Sequence, residues 1–184
     1  MTLVVAAVVL VGVLALINLV FSIGVIRRLR EHTEILSRLE AGSAGVMLEP
    51  GQTVTDFAAT TLTGEPASLE TLNRADGPML VGFFSPGCGP CEVKLPAFVE
   101  YAREHPERQS RVLAVVVGES DEEATPLVSA LTGTVDVVRD TNGGPVAKAF
   151  DVRGFPAFAL VDSSGLVLAS GSEISAVSET PVKV

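Results

Sequence analysis

Both cysteines of the chain stand in one tetrapeptide, Cys88-Gly89-Pro90-Cys91, set between an apolar strand-like stretch and a helix-like one. Met79-Leu80-Val81-Gly82-Phe83-Phe84-Ser85 reads as a buried strand, and Glu92 to Tyr101 reads as a helix. A strand–turn–helix unit follows, with Cys88 at the turn. There, unpaired backbone N–H groups and the positive end of the helix dipole stabilise a thiolate. A Cys-x-x-Cys pair closes a small disulfide and reopens it, which makes a two-electron switch when the first sulfur is exposed and acidic.

The other uses of such a pair are half a zinc site or a structural bridge. Zinc takes three or four protein ligands, and only His32 and His105 are present to add. His32 lies beside a long apolar run and His105 at a helix end, so neither is placed to complete a site. No metal and no cofactor is expected. A bridge over so short a loop removes little entropy from the unfolded chain. Redox chemistry is the favoured reading.

At 184 residues and 47% apolar composition, the chain has room for one domain and an accessory segment. Leu3 to Ile26 has no charged residue, and its polar interruptions are Asn18 and Ser22. As a helix rising about 1.5 Å per residue it spans roughly 36 Å, enough to cross a bilayer core of about 30 Å. Met1-Thr2 gives no basic start and Val25-Ile26-Arg27-Arg28 is a poor cleavage site, so residues 3–26 are expected to be a retained transmembrane helix. With both cysteines committed to the redox pair, a lipid anchor on cysteine is excluded.

Residues 27–40 keep helical spacing, with Leu29, His32, Leu36 and Leu39 on one stripe, and are expected to form a juxtamembrane stalk. Ala41-Gly42-Ser43-Ala44-Gly45 reads as a linker over residues 41–45, and residues 46–184 as the folded domain. The formal charge is −9, and from residue 41 onward acids outnumber bases by about two to one, so nucleic acid is not an expected partner. Arg27, Arg28, Arg30 and Arg38 are suited to anionic lipid headgroups or to a solvated helix face.

Within the domain, Thr53–Thr61 is β-prone, Thr63-Gly64-Glu65 is a turn, and Ala67-Ser68-Leu69 completes a hairpin, with Ser68 capping a short helix through Arg74. Val112 to Val117 is a continuous apolar run, expected of a strand covered on both faces. Asp121-Glu122-Glu123 opens a helix to about Leu131. A short strand over Thr134–Val138 and a short helix over Pro145–Phe150 come next. A hairpin of Phe158–Val161 and Leu166–Ala169 closes the pattern, with at most two helical turns after it. Strands alternating with helices, then a hairpin, give an α/β sandwich with a mixed central sheet.

Phe83-Phe84-Ser85-Pro86-Gly87-Cys88-Gly89-Pro90-Cys91, with Pro96 five positions on, resembles the active-site strand and kinked helix of the thioredoxin superfamily. Gly154-Phe155-Pro156-Ala157-Phe158 resembles the cis-proline loop that faces the cysteine pair in that fold. Gly51–Phe57, with Thr61–Glu65 and Ser68-Leu69, is similar to the opening of membrane-anchored redoxin-type members, the TlpA-, ResA- and MauD-like disulfide reductases. The resemblance covers roughly residues 46–170. It implies a thioredoxin-like fold and thiol–disulfide exchange, with Cys88 attacking, Cys91 resolving, Gly89 and Pro90 shaping the loop, and Phe155 and Pro156 binding substrate. A protein disulfide substrate and a separate electron donor are the partners implied, besides the bilayer held by the amino-terminal helix.

Two departures stand out. Gly87 replaces the tryptophan usual before the first cysteine, and Gly82 falls where thioredoxins carry a buried acid. Proton transfer at Cys91 is then left to water or to another carboxylate, with Glu92 nearest in sequence, although a first-turn helix acid is the commoner role for it. Lys94 is a candidate for lowering a thiol pKa, or simply a solvated lysine. Phe84, Pro86, Phe155 and Phe158 are candidates for an apolar rim.

The chain is thus expected to be a membrane-tethered thiol–disulfide oxidoreductase, acting as a reductase. The alternatives are a thiol peroxidase of peroxiredoxin type and a non-enzymatic docking module. Ser85 suits the peroxidase, but Val81 stands where a proline belongs. The soluble domain's side of the membrane has opposed signals: arginines directly after the anchor point to the cytoplasm, and the family resemblance points outside it.

Overall fold

The computed structural model describes residues 45–73, 77–104 and 111–178, with isolated positions 1, 4, 5, 10, 12, 16 and 18 near the amino terminus. The transmembrane helix expected over 3–26, the stalk over 27–40 and the linker over 41–45 lie almost wholly outside the described residues, as do His32 and His105. Among the described residues, no helix is long and apolar enough to cross a membrane. The chain divides into two compact units, Met1–Ala44 and Gly45–Val184.

In the second unit, strands β1 (Ala58–Thr60) and β2 (Pro66–Ser68) make an antiparallel ribbon that runs into helix α1 (Leu69–Asn73). The expected cap is present and reciprocal. Ser68 Oγ accepts the Thr71 N–H at 3.2 Å, and Thr71 Oγ1 accepts the Ser68 N–H at 2.8 Å. Next come β3 (Met79–Phe84), α2 (Gly89–Glu104), β4 (Val112–Val117), α3 (Asp121–Leu131), β5 (Asp136–Asp140) and α4 (Pro145–Ala149). The unit closes with β6 (Ala157–Val161), β7 (Val167–Gly171) and α5 (Ser175–Ser178).

The five-stranded sheet has the order β5-β4-β3-β6-β7, with β3, β4 and β5 mutually parallel and β6 and β7 antiparallel to their neighbours. It is the mixed sheet expected. Alternation along the strands sorts the core into two layers. Leu80, Phe84, Val112, Ala114, Val116, Phe158 and Leu160 join the layer of α2 and α3. Val81, Phe83, Leu113, Val115, Ala157 and Ala159 join the layer of α4 and the amino-terminal segment.

That segment reaches both outer edges of the sheet. On one side Thr53 bridges Leu166, and Val167 exchanges backbone hydrogen bonds with Gly51 and Gln52. On the other, Thr61 bridges Val138 and the Leu62 N–H donates to the Val137 carbonyl at 2.8 Å. The β-prone stretch from Thr53 is therefore a regular strand only over Ala58–Thr60, because its first part serves as edge cover.

Two other boundaries differ from the sequence reading. Strand β5 starts at Asp136 because the N–H groups of Thr134 and Val135 turn back to the Leu131 carbonyl and close the end of α3. Strand β7 starts at Val167 because Leu166 closes the preceding turn, its carbonyl accepting the Asp162 N–H at 3.0 Å. Helix α2 opens at Gly89 and continues past Pro96 to Glu104.

Candidate redox site

The site lies where β3 ends and α2 begins. Gly87 takes φ +69°, a left-handed turn that a tryptophan at this position would adopt only with strain, and swings the chain from strand to helix. Cys88 is then the residue that caps α2. Its sulfur accepts the Cys91 N–H at 3.2 Å, while its carbonyl accepts the Cys91 and Glu92 N–H groups at 3.0 and 3.3 Å. Pro90 occupies the first turn, where a missing N–H costs little. The helix terminus thus points a donor and its dipole at one sulfur, which stabilises negative charge there.

Cys88 and Cys91 are joined as a disulfide with a Cα–Cα distance of 5.2 Å. Their surroundings are opposite. Cys88 is partly exposed, whereas Cys91 is fully buried.

Facing the pair is the loop Gly154-Phe155-Pro156, whose Phe155–Pro156 peptide is cis. The Phe155 carbonyl oxygen stands 3.5 Å from Cys88 Sγ, within reach of an S–H···O bond once the pair is reduced. Of this expected substrate-binding pair, Phe155 is half-buried and Pro156 buried. Sequence reasoning did not find what holds this loop. The Val46 carbonyl accepts the N–H groups of Arg153 and Gly154 at 2.8 and 3.3 Å, which ties the start of the domain to the rim of the site.

The expected rim is corrected, and the two charged candidates are placed. Phe84 and Phe158 are fully buried and belong to the core, so Pro86 and Phe155 alone remain at the rim. Lys94 is committed away from the sulfurs, with Nζ 2.6 Å from Glu173 Oε1 and donating to the Ser172 carbonyl at 3.0 Å. Glu92 is exposed in the first turn of α2, the ordinary place for a helix acid.

The place of the buried acid is filled instead. A Cβ on Gly82 would meet Phe98 Cε2 at 2.6 Å and Phe84 Cε2 at 3.1 Å. Phe98 stacks on Phe158 with centroids 5.8 Å apart and meets Phe84 edge-on at 5.2 Å. Cys91 belongs to the same apolar cluster. A glycine inside a strand signals a close approach, and here the approaching group is an aromatic ring.

Another feature missed by the sequence reading is the buried Asp140, at the end of β5. Its Oδ2 accepts the Val146 and Ala147 N–H groups at 3.0 and 2.8 Å, and its Oδ1 accepts the Thr141 N–H at 2.9 Å. Arg139 ties the neighbouring loop, donating to the carbonyls of Val116, Gly118 and Ser120 and pairing with Asp121 at 3.2 Å.

Known proteins share the fold that carries this site. A profile described as the AhpC/TSA family matches residues 50–170. The thioredoxin-like protein YneN of Bacillus subtilis (strain 168) is 27% identical over 128 residues, 66% of this chain and 71% of that protein. Among solved structures, MTB dsbF, seen in mixed oxidised and reduced forms, is 27% identical with a TM-score of 0.55, covering 72% of this chain and 95% of its own. The thioredoxin domain of a thiol-disulfide oxidoreductase from Bacteroides vulgatus superposes with a TM-score of 0.56 at 20% identity, over 67% of this chain and 88% of that one.

Proposed function

This chain belongs to the AhpC/TSA family, and from that premise we propose that it is a membrane-tethered thiol–disulfide oxidoreductase that reduces protein disulfides through Cys88 and Cys91. The fold is thioredoxin-like; the Bacillus subtilis relative is named as thioredoxin-like, and the Bacteroides vulgatus structure as the domain of a thiol-disulfide oxidoreductase. The observation that carries the reading is the asymmetry of the pair: a partly exposed sulfur capping a helix, joined to a sealed one.

Each sulfur has its step. The Cys88 thiolate attacks one sulfur of a target disulfide, forms a mixed disulfide and expels the other target sulfur as a thiolate. Cys91 then attacks Cys88 Sγ, the Cys88–Cys91 bond forms, and the second target thiol departs. The target gains two electrons and the protein is left oxidised. An outside donor restores the dithiol. Phe155 and Pro156 bind the target, the carbonyl of Phe155 lying beside the reacting sulfur and its ring supplying apolar contact.

The tether is the uncharged run of residues 3–26, joined to the domain by 27–40 and 41–45. Its direction is open to direct reading: the two cysteines are the only thiols in the chain. Labelling of intact cells by a membrane-impermeant thiol reagent, with impermeant reductant added, places the domain outside the cytoplasm. Labelling only after lysis places it inside.

The mechanism is tested by paired variants. Cys88→Ser is expected to abolish exchange, and Cys91→Ser to accumulate mixed disulfides with targets. Undiminished exchange in both variants would overturn the proposal. Rapid consumption of hydrogen peroxide by the reduced protein, with exchange absent, would favour the peroxidase reading instead.

A further inference from the structure

Cys91 is fully buried, and the described residues give it no buried acid or base. The only buried polar or charged side chains among them are Thr61 and Asp140. Thr61 spends its hydroxyl on Thr63 and on the Glu65 N–H. Asp140 is held by three backbone N–H groups, and alternation along β5 puts it with Val138 on the face of the sheet away from α2.

The elements packed in the Cys91 layer bring no nearer candidate. Strands β3, β4, β6 and β7 and helix α5 carry no ionisable side chain over their lengths. On α2, Glu92 is exposed, Lys94 is paired with Glu173, and Glu100, Tyr101, Arg103 and Glu104 begin nine residues on, about 13 Å along the helix. On α3, Asp121 is paired with Arg139, and Glu122 and Glu123 are exposed. On β5, Asp136 is exposed. Asp151 and Arg153, before the cis-proline loop, pair with each other.

Resting on the exchange reading above, we propose that Cys91 resolves the mixed disulfide with no proton acceptor supplied by the described residues, and that Phe98, filling the space over Gly82, is the positioning residue that keeps the site dry. In the resolving step the Cys91 S–H loses its proton and the sulfur attacks Cys88 Sγ. The Cys88–Cys91 bond forms, the Cys88–target bond breaks, and the target sulfur leaves with the electron pair and is reprotonated. Displacement at sulfur runs in line, so the leaving sulfur stands on the far side of Cys88 from Cys91 and cannot take the proton directly. Water, or hydroxide from it, is the remaining acceptor. Resolution therefore follows the small thiolate fraction of a buried thiol, which rises about tenfold per pH unit. Attack by Cys88, whose thiolate is favoured by the helix terminus, stays nearly level over the same range. The protein grips its target longest in mild acid.

The test uses the full chain, reduced, in detergent, mixed with one equivalent of a symmetrical nitrothiobenzoate disulfide. The first coloured thiolate released reports attack by Cys88, and the second reports resolution by Cys91. The expected result is a fast first release and a slow second one whose rate climbs about tenfold per unit from roughly pH 6 to pH 8. A second release that is level across that range, or saturates below neutrality, reveals a protein base and overturns this inference while leaving the exchange reading intact. Absence of the first release overturns both. Phe98→Ala, by admitting water, is expected to speed the second release relative to the first at pH 7. Should that variant fail to fold, the wild-type pH slope decides alone.

Discussion

Two crossovers leave the same end of the sheet and meet the same problem, a helix whose first N–H groups lack partners. From β5 to α4 the solution is a carboxylate: Asp140 takes three backbone N–H groups and is walled in by Gly144, where a Cβ would fall 1.8 Å from Oδ1. From β3 to α2 the solution is a sulfur, Cys88 Sγ, which accepts the Cys91 N–H at 3.2 Å. The carboxylate is buried and permanent, whereas the sulfur is partly exposed and, on the exchange reading, its covalent partner changes. One arrangement of backbone donors serves as structure in the first case and tunes a nucleophile in the second. What separates the two is access to solvent and to a second thiol.

The comparison is broken most severely at the sulfur. Cys88→Ser should lower disulfide exchange by about three orders of magnitude or more while leaving the fold in place, measured as target reduction with a chemical donor. Large loss of folded protein in that variant would mean that the sulfur, too, is mainly structural. The converse change is Asp140→Ala, which strands three N–H groups and should cost about 3 kcal/mol in urea unfolding. Exchange per folded molecule should persist, and a selective loss of exchange would tie the β5–α4 turn to the chemistry.

Smaller effects sharpen the contrast. Ser120 Oγ caps α3 through the Glu123 N–H at 3.3 Å, on the surface rather than in the core, so Ser120→Ala should cost only about 1 kcal/mol. The smallest is a pH effect at the β6–β7 turn. Burial raises the carboxyl pKa of Asp162, but hydrogen bonds from the Ser164 hydroxyl and from the Ser164 and Leu166 N–H groups outweigh it and hold the pKa below the ordinary range. A pKa lower in the folded state means stability fully present above about pH 4 and lost as pH falls through the folded value. Asp162→Asn should flatten the acid limb of the stability curve slightly, as followed by thermal unfolding between mild and strong acid.

The strand–turn–helix around Cys88 was legible because its signals are local: an apolar run, a Gly-Pro turn and a helical pattern in succession. The succession of strands and helices and the cap at Ser68 were legible for the same reason. Asp140 was not, since an acid ending a strand looks like any solvated acid until Gly144 is seen to fold over it. Nor was Phe98: Gly82 marked the missing acid, but which side chain fills that space depends on how α2 lies across β3. The role of Lys94 was not legible either, because its partners, Ser172 and Glu173, lie more than seventy residues away.

The segment that covers both sheet edges has a consequence in time. Its bridges join Thr53 to Leu166 and Thr61 to Val138, so the first part of the domain to be synthesised finds its partners only when nearly all the rest exists. Contacts of such long sequence separation slow folding, because the chain entropy of closing the loop is lost before the pairing returns anything. Until then β5 and β7 each keep an open side. The domain is therefore expected to close late and in one concerted step, and shortening the chain by even its last hairpin should leave the segment around Thr53 without its strand partner.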